Sequence, residues 1–178
     1  MKPEDFGIIE YKWVDGKLDV YQNVNLDSRG LTELPFEFGK VNGSFYCSHN
    51  LLTSLKDAPS KVGGNFSCDY NQLTSLVGAP SEVGGDFYCS CNQLTSLKGV
   101  PNKVNGHFYC SYNQLTSLIG APNEVSGDIW CHKNPMSEIA LIETLFDHFN
   151  EEKARYLAEK IDENYDSKIV GYYMEREL

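Results

Sequence analysis

The hydrophobic positions of this chain recur every 21 residues over positions 20–134, and no insertion interrupts the series. A fixed period of this length predicts stacked supersecondary units, each burying its apolar face against its neighbours. Four copies are full length, the first is degenerate and the last is truncated. The copies begin at Val20, Val41, Val62, Val83, Val104 and Val125.

Each full copy reads approximately V-x-G-x-F-x-C-x-x-N-x-L-x-x-L. The alternation of Phe and Cys predicts one short strand per unit, stacked in parallel about 4.8 Å from the next. Prolines such as Pro80 favour an extended return segment over a long helix. We therefore expect a mostly β solenoid with two leucine columns filling the other side of its core. The predicted inward columns are Phe45, Phe66, Phe87, Phe108 and Ile129, with Cys47, Cys68, Cys89, Cys110 and Cys131.

An asparagine and a glycine also repeat in register. A buried side-chain amide can satisfy backbone groups where the chain turns away from a strand, so we expect an asparagine ladder. The glycine, for example Gly85, is expected to absorb one extra residue as a β-bulge. The predicted ladder consists of Asn50, Asn71, Asn92, Asn113 and Asn134.

The motif F-x-C-x-x-N-x-L-x-x-L resembles the leucine-rich repeat L-x-x-L-x-L-x-x-N-x-L, with Phe and Cys where Leu usually stands. The downstream L-T-S-L-x-x-A-P is similar to the short repeat type of bacterial effectors and bacteriophage proteins. The resemblance covers about two thirds of the chain. It implies a leucine-rich-repeat solenoid with a parallel sheet on its concave face, and a protein-binding function.

Both ends of the repeat array are predicted to be capped, because a solenoid must cover its open rungs. At the N-terminal end, Asp15-Gly16 between two alternating apolar runs predicts a β-hairpin within residues 1–19. After residue 134 the period changes. Ser137 is a candidate helix N-cap, and the apolar spacing that follows predicts a helical cap over residues 135–178. The expected fold class is therefore mostly β with α.

The outward positions of each strand change from copy to copy, whereas the inward positions hardly change. Fixed core positions with a variable surface are typical of an interaction scaffold. Tyr and Trp are enriched at binding hot spots because they bury a large area and keep a polar group. The alternative is that the tyrosines only shield the sheet. The predicted partner-binding residues are Tyr46, Tyr70, Asp86, Tyr88, His107, Tyr109, Tyr112, Asp128, Trp130, His132 and Lys133.

One outward column places His107 between Asp86 and Asp128 on successive rungs. With a nearby serine it resembles a hydrolytic set. However, Ser111 lies four positions further along the strand, roughly 13 Å away, beyond hydrogen-bond reach. The preferred interpretation is that this column contacts a basic group of a partner.

We expect the chain to have no enzymatic activity, no cofactor and no metal. Effector relatives with a ligase domain use a Cys nucleophile after the repeats, and no Cys follows Cys131.

Composition narrows the class of partner. The net charge is −10, which argues against nucleic acid and anionic membrane surfaces. Residues 135–178 hold 11 acidic and 5 basic side chains, a net charge of −6, so that segment is either a cap or a second acidic contact site.

The N-terminus lacks the order of charged and then apolar residues that marks a secretory signal, and a cytoplasmic protein is expected. Five of the six cysteines occupy the same inward repeat position, 21 residues apart, which favours reduced, buried thiols. The sixth, Cys91, lies two residues after Cys89, where the chain should be leaving the strand.

These observations predict a non-enzymatic module that binds a protein through its concave aromatic face. The resemblance narrows this expectation to an inhibitor of a host protein, of bacteriophage type. A small-ligand or carbohydrate binder is the alternative, because aromatic rings with Asp and His also suit sugars. A nearly flat face disfavours it, since small ligands prefer enclosed pockets. The sequence leaves the choice between a monomer and a homo-oligomer open.

Overall fold

The structure is a computed structural model that describes residues 1–136. It is a solenoid of stacked rungs built from two β-sheets, and each rung gives one short strand to each sheet. The helices predicted after Ser137, and the acidic surface of that segment, lie outside the described residues. Within residues 1–136 the helical segment is the single 3-10 turn Pro3–Phe6, and no helix there is long and apolar enough to cross a membrane.

The first sheet has seven strands and runs from the N-terminal hairpin along the valine column of the repeats. Its strands pair in parallel except for the antiparallel pair at the N-terminal edge. In spatial order they are β1 (Tyr11–Val14), β2 (Lys17–Val20), β4 (Phe38–Val41), β6 (Lys61–Val62), β8 (Glu82–Val83), β10 (Lys103–Val104) and β12 (Glu124–Val125).

The second sheet has six parallel strands and carries the predicted Phe and Cys columns. Each residue pairs with the residue 21 positions later, as Phe87 does with Phe108, so the sequence period equals the strand register. In chain order the strands are β3 (Val24–Asn25), β5 (Phe45–Tyr46), β7 (Phe66–Ser67), β9 (Phe87–Tyr88), β11 (Phe108–Tyr109) and β13 (Ile129–Trp130).

The predicted N-terminal hairpin is confirmed. β1 and β2 are antiparallel and are joined by Asp15 and Gly16, with φ angles of 50° and 80°. Positive φ at both central residues is the requirement of a type I′ turn, whose twist matches that of the strands. β2 then pairs in parallel with β4. β2 is therefore the first-sheet strand of the first rung, and β1 covers its free edge.

The core contains the residues that the period predicts. The phenylalanine and cysteine columns and both leucine columns are buried, and the Phe residues of the repeats are fully so. Successive phenylalanine rings contact each other along the stack, with centroids 5.8 Å apart for Phe45 and Phe66 and 5.2 Å for Phe66 and Phe87. No rung could bury these side chains alone, so the stack is the folding unit.

The asparagine ladder is also confirmed. Asn71 Nδ2 donates to the carbonyl oxygens of Cys47 and Cys68 at 3.0 and 3.1 Å. Its Oδ1 accepts the backbone N–H of Leu52 at 3.0 Å. One buried amide thus satisfies backbone groups in three segments of the chain, and the same pattern repeats at the other members of the ladder.

The repeated glycine lies at a bend between the two sheets rather than in a bulge, and the valine-column sheet was not predicted. In each rung the chain leaves a first-sheet strand and enters a second-sheet strand within four residues, as from Val104 to Phe108. A Cβ on Gly106 would lie 2.8 Å from both the backbone N of Asp86 and the carbonyl carbon of Gly85. The close approach of the preceding rung therefore requires glycine here.

The cysteine column behaves as a set of small buried side chains. Cys47, Cys68 and Cys89 each direct Sγ to a backbone carbonyl oxygen of the next rung, at 3.2 to 3.3 Å. All six thiols are free, and burial raises the pKa of the Cys68 and Cys89 thiols well above the ordinary value. Because the thiolate is the reactive form, these thiols should be inert in the folded protein. Cys91, outside the column, is partly exposed.

Thiol labelling tests this arrangement. In the native protein at pH 8, Cys91 should react with a maleimide reagent while the five column cysteines stay unmodified. In denaturant all six should react. Mass spectrometry counts the adducts, and Cys91→Ser, which should give none under native conditions, is the control. Rapid native modification of Cys68 or Cys89 would contradict the burial of the column.

Candidate functional site

The outward side chains of the second sheet form the surface that we call the aromatic face. They alternate along each strand with the buried Phe and Cys columns, and they align from rung to rung in four columns. The first column precedes the buried Phe, the second lies between Phe and Cys, and the third and fourth follow Cys. All eleven predicted contact residues belong to these columns.

The first column has a structural role that the sequence did not reveal. Asp86 Oδ1 accepts the backbone N–H of His107 at 2.8 Å, and His107 Nδ1 accepts that of Asp128 at 2.9 Å. Every such bond joins a side chain to the residue 21 positions later. The varied residue types therefore share one property, a hydrogen-bond acceptor near the backbone. The column consists of Asn23, Ser44, Asn65, Asp86, His107 and Asp128.

These bonds also limit what the His–Asp set can do. His107 Nδ1 can accept from a backbone N–H only when that nitrogen carries no proton. It lies 3.4 Å from a carboxylate oxygen of Asp128, and Asp86 accepts the Tyr88 hydroxyl at 2.8 Å through its second oxygen. The side chains of Asp86 and His107 thus hold neighbouring strands together, and Asp86 also holds the Tyr88 ring. His107 and Asp128 are partly exposed.

The second column carries the main run of aromatic rings. Tyr88 and Tyr109 are parallel, with centroids 4.6 Å apart and planes 5° apart, and Trp130 stacks on Tyr109 at 5.9 Å. All three rings are partly exposed. Tyr46 occupies the same column two rungs before Tyr88, and Ser67 lies between them. The rings lie outside the core, which the phenylalanines already fill.

The third column is polar and partly buried. Asp69 Oδ1 accepts the backbone N–H of Ser90 at 2.5 Å, and the hydroxyl oxygens of Ser48 and Ser67 are 2.6 Å apart. Burial is the largest influence on Asp69 and raises the pKa of its carboxyl to about 7, because it disfavours the ionised form. The column consists of Asp27, Ser48, Asp69, Ser90, Ser111 and His132.

The raised pKa of Asp69 predicts a pH-dependent stability. The folded state holds this proton up to about pH 7, whereas the ordinary value is 3.8. The contribution of the Asp69 carboxyl to the free energy of unfolding should therefore be largest below about pH 4 and should fall as the pH rises through 7. Asp69→Asn keeps an oxygen for Ser90 N–H but carries no charge. It should raise the free energy of unfolding by roughly 2 kcal/mol at pH 8 and change it little at pH 4.5. Urea denaturation at both pH values checks this, and an equal effect at both would contradict it.

The fourth column ends the strands with a backbone that L-residues seldom adopt. Tyr70 and Tyr112 have φ angles of 51° and 54°, and each is 53% exposed. His49 stacks on Tyr70 at 4.4 Å, and Tyr112 contacts His132 edge to face at 5.5 Å. The left-handed conformation turns these side chains outward beside the second column. A second exposed row of aromatic groups results, which Lys133 continues.

A serine–histidine contact exists, but at a place the sequence did not indicate. Ser111 Oγ lies 3.1 Å from His132 Nδ1. The Ser111 hydroxyl donates to the carbonyl oxygen of Trp130 at 3.0 Å, so the histidine must be the donor in the contact between the two side chains. Ser111 is 4% exposed and therefore has no approach for a substrate. The pair is a structural contact.

A separate shallow groove of about 500 Å³ lies on the outer face of the first sheet. Its lining includes Lys40, Lys61 and Lys103 with one acidic residue, Glu82, which forms an ion pair with Lys61 at 2.7 Å. The lining therefore carries an excess of positive charge, part of which the Lys103–Glu124 ion pair at 2.9 Å offsets. None of the predicted contact residues lines it.

Comparison of this sequence with protein-family models, curated proteins and solved structures gives no match. The structure itself establishes a parallel β-solenoid with a 21-residue rung, and the leucine-rich-repeat assignment stays a resemblance in the motif.

Proposed function

We propose that this chain is a non-enzymatic interaction module that binds a protein partner through the aromatic face. The observation that carries the proposal is the run of stacked, partly exposed rings of Tyr88, Tyr109 and Trp130 beside the half-exposed Tyr70 and Tyr112. These rings lie on a sheet whose buried layer is already complete. Stacked rings of this kind present a rigid apolar area with polar edges, which is typical of binding hot spots.

A protein is a better candidate than a small ligand because the face is the open surface of a sheet. Small ligands bind where walls enclose most of their surface, whereas a protein can cover several rungs at once. The resemblance to short bacterial and bacteriophage repeats supports a narrower form of the proposal. In that form the chain acts in the cytoplasm as an inhibitor of a host protein.

Affinity capture from bacterial lysate with matched variants tests the proposal. The test variant carries Tyr88→Ser and Tyr109→Ser, because the chain itself has serine in this column at Ser67 and should tolerate it. The control carries Val77→Ser and Ile119→Ser, which remove apolar groups that are 58% and 45% exposed. A partner retained by the native chain and the control should bind the test variant roughly 100-fold more weakly.

Circular dichroism and denaturation curves must first show that both variants fold. An identical set of captured proteins from all three baits would contradict the proposal. Binding of a sugar in a glycan panel by the native chain, lost in the test variant, would replace it with the carbohydrate alternative.

A further inference from the structure

The column of rings on the aromatic face is interrupted at one rung. Tyr46, Tyr88, Tyr109 and Trp130 carry rings in the second column, but Ser67 has only a hydroxymethyl group. We call the space above Ser67, between Tyr46 and Tyr88, the Ser67 gap. Parallel strands are about 4.8 Å apart, so the two flanking positions are about 9.6 Å apart.

The dimensions of this gap suit one planar group. Tyr88 and Tyr109, on adjacent rungs, show that flat groups in this column stack in parallel with centroids 4.6 Å apart. A planar group at the Ser67 rung would therefore lie about 4.8 Å from each flanking ring, within the range of cation–π contacts. Ser67 is 8% exposed, so the neighbouring side chains cover most of it.

The chemistry beside the gap favours a cation. Asp69 follows Ser67 by two positions on the same rung, so the two side chains lie on the same face, and the Ser67 hydroxyl also contacts that of Ser48. One oxygen of Asp69 accepts the N–H of Ser90, and the other makes no hydrogen bond or ion pair within residues 1–136. Burial disfavours the ionised form of this carboxyl and raises its pKa to about 7. A cation with N–H donors would offset that cost.

We propose that the Ser67 gap receives an arginine side chain of the protein partner. The guanidinium lies between the rings of Tyr46 and Tyr88 and donates to the second carboxylate oxygen of Asp69. This inference rests on the proposed function, since it specifies the chemistry of the partner at one point of the aromatic face. Asp69, Tyr46 and Tyr88 are then binding residues, and Ser67 determines specificity by leaving room.

Arginine fits better than the other candidates. Its guanidinium is planar, stacks on aromatic faces and carries several N–H donors in one plane. The lysine ammonium is compact and strongly hydrated, so it gains less between two rings. An aromatic side chain would match the spacing, but a phenyl ring would leave Asp69 without a donor.

Peptide titration tests the inference without the natural partner. The probe is acetyl-Gly-Arg-Gly-amide, and the controls are the same peptide with citrulline, which is planar but neutral, and with lysine. Backbone amide NMR shifts of Ser67 and Asp69 report binding. The arginine peptide should bind the native chain roughly tenfold more tightly than either control.

Two variants locate the site. Ser67→Tyr fills the gap with the side chain that the column has on other rungs, and Asp69→Asn removes the charge while keeping the acceptor for Ser90. Each should weaken arginine-peptide binding roughly tenfold. Equal binding of the citrulline peptide, or unchanged binding by folded Ser67→Tyr, would overturn the inference. Neither result would affect the capture experiment above, which replaces Tyr88 and Tyr109 and leaves Ser67 in place.

Discussion

Replacement of Phe87 by alanine should lower the free energy of unfolding by about 3–5 kcal/mol. Phe87 is fully buried, and its ring contacts the rings of Phe66 and Phe108, with centroids 5.2 and 5.7 Å away. The cavity left by the ring cannot collapse easily, because rungs on both sides keep the strand spacing fixed. The loss therefore combines the transfer of the ring to water with an unfilled cavity.

The chain supplies the control for this experiment. Ile129 occupies the same column, so Phe87→Ile places there a side chain that the rung geometry already accepts, and it should cost only about 1–2 kcal/mol. Urea denaturation followed by circular dichroism measures both variants. A loss below 1 kcal/mol for Phe87→Ala would contradict a continuous phenylalanine core.

Replacement of Asn92 by alanine should lower the free energy of unfolding by about 3 kcal/mol, although it removes only a small side chain. Asn92 Nδ2 donates to the carbonyl oxygens of Cys68, Cys89 and Ser90 at 3.0, 3.3 and 3.2 Å. Its Oδ1 accepts the N–H of Leu73 at 3.0 Å. Alanine leaves these groups unpaired at a place that is 9% exposed, and a buried unpaired group carries its full desolvation cost.

Gln93→Ala is the matched control for the asparagine ladder. Gln93 is the next residue, its side chain is exposed, and its backbone N–H bonds Leu73 O, which the substitution leaves intact. It should change stability by less than about 0.5 kcal/mol. If Asn92→Ala and Gln93→Ala lower the free energy of unfolding by similar amounts in urea denaturation, the amide of Asn92 makes no special contribution to stability.

The inward positions could be predicted because a repeated residue in a stack meets the same surroundings in each rung. Phe66, Cys68, Asn71 and Leu73 recur at 21-residue intervals, and their columns are buried as predicted, except at Asn134 in the last rung, which is partly exposed. The hairpin could also be predicted, because its turn type depends only on the two adjacent residues Asp15 and Gly16. The predicted helices after Ser137 lie beyond the described part of the chain.

The first sheet and the acceptor column could not be predicted in the same way. A first-sheet strand such as β8 contributes one buried residue per rung, Val83, so no alternation of buried residues marks it, whereas Phe87 and Cys89 alternate in the second sheet. In the first column Asp86, His107 and Asn65 look unrelated, because what they share is an acceptor for an N–H 21 residues away. The 21-residue period does align Ser111 with His132, but the contact was missed because Ser111 was paired with His107 instead.

Fluorine NMR of the chain labelled with fluorotryptophan tests the central proposal most directly. The chain has two tryptophans, Trp130 on the aromatic face and Trp13 on the N-terminal hairpin, and an unlabelled partner gives no signal. Trp130→Phe assigns the two resonances. On addition of the captured partner, the Trp130 resonance should shift or broaden while that of Trp13 stays unchanged. A shift of the Trp13 resonance with none at Trp130 would place the contact away from the aromatic face and contradict the proposal.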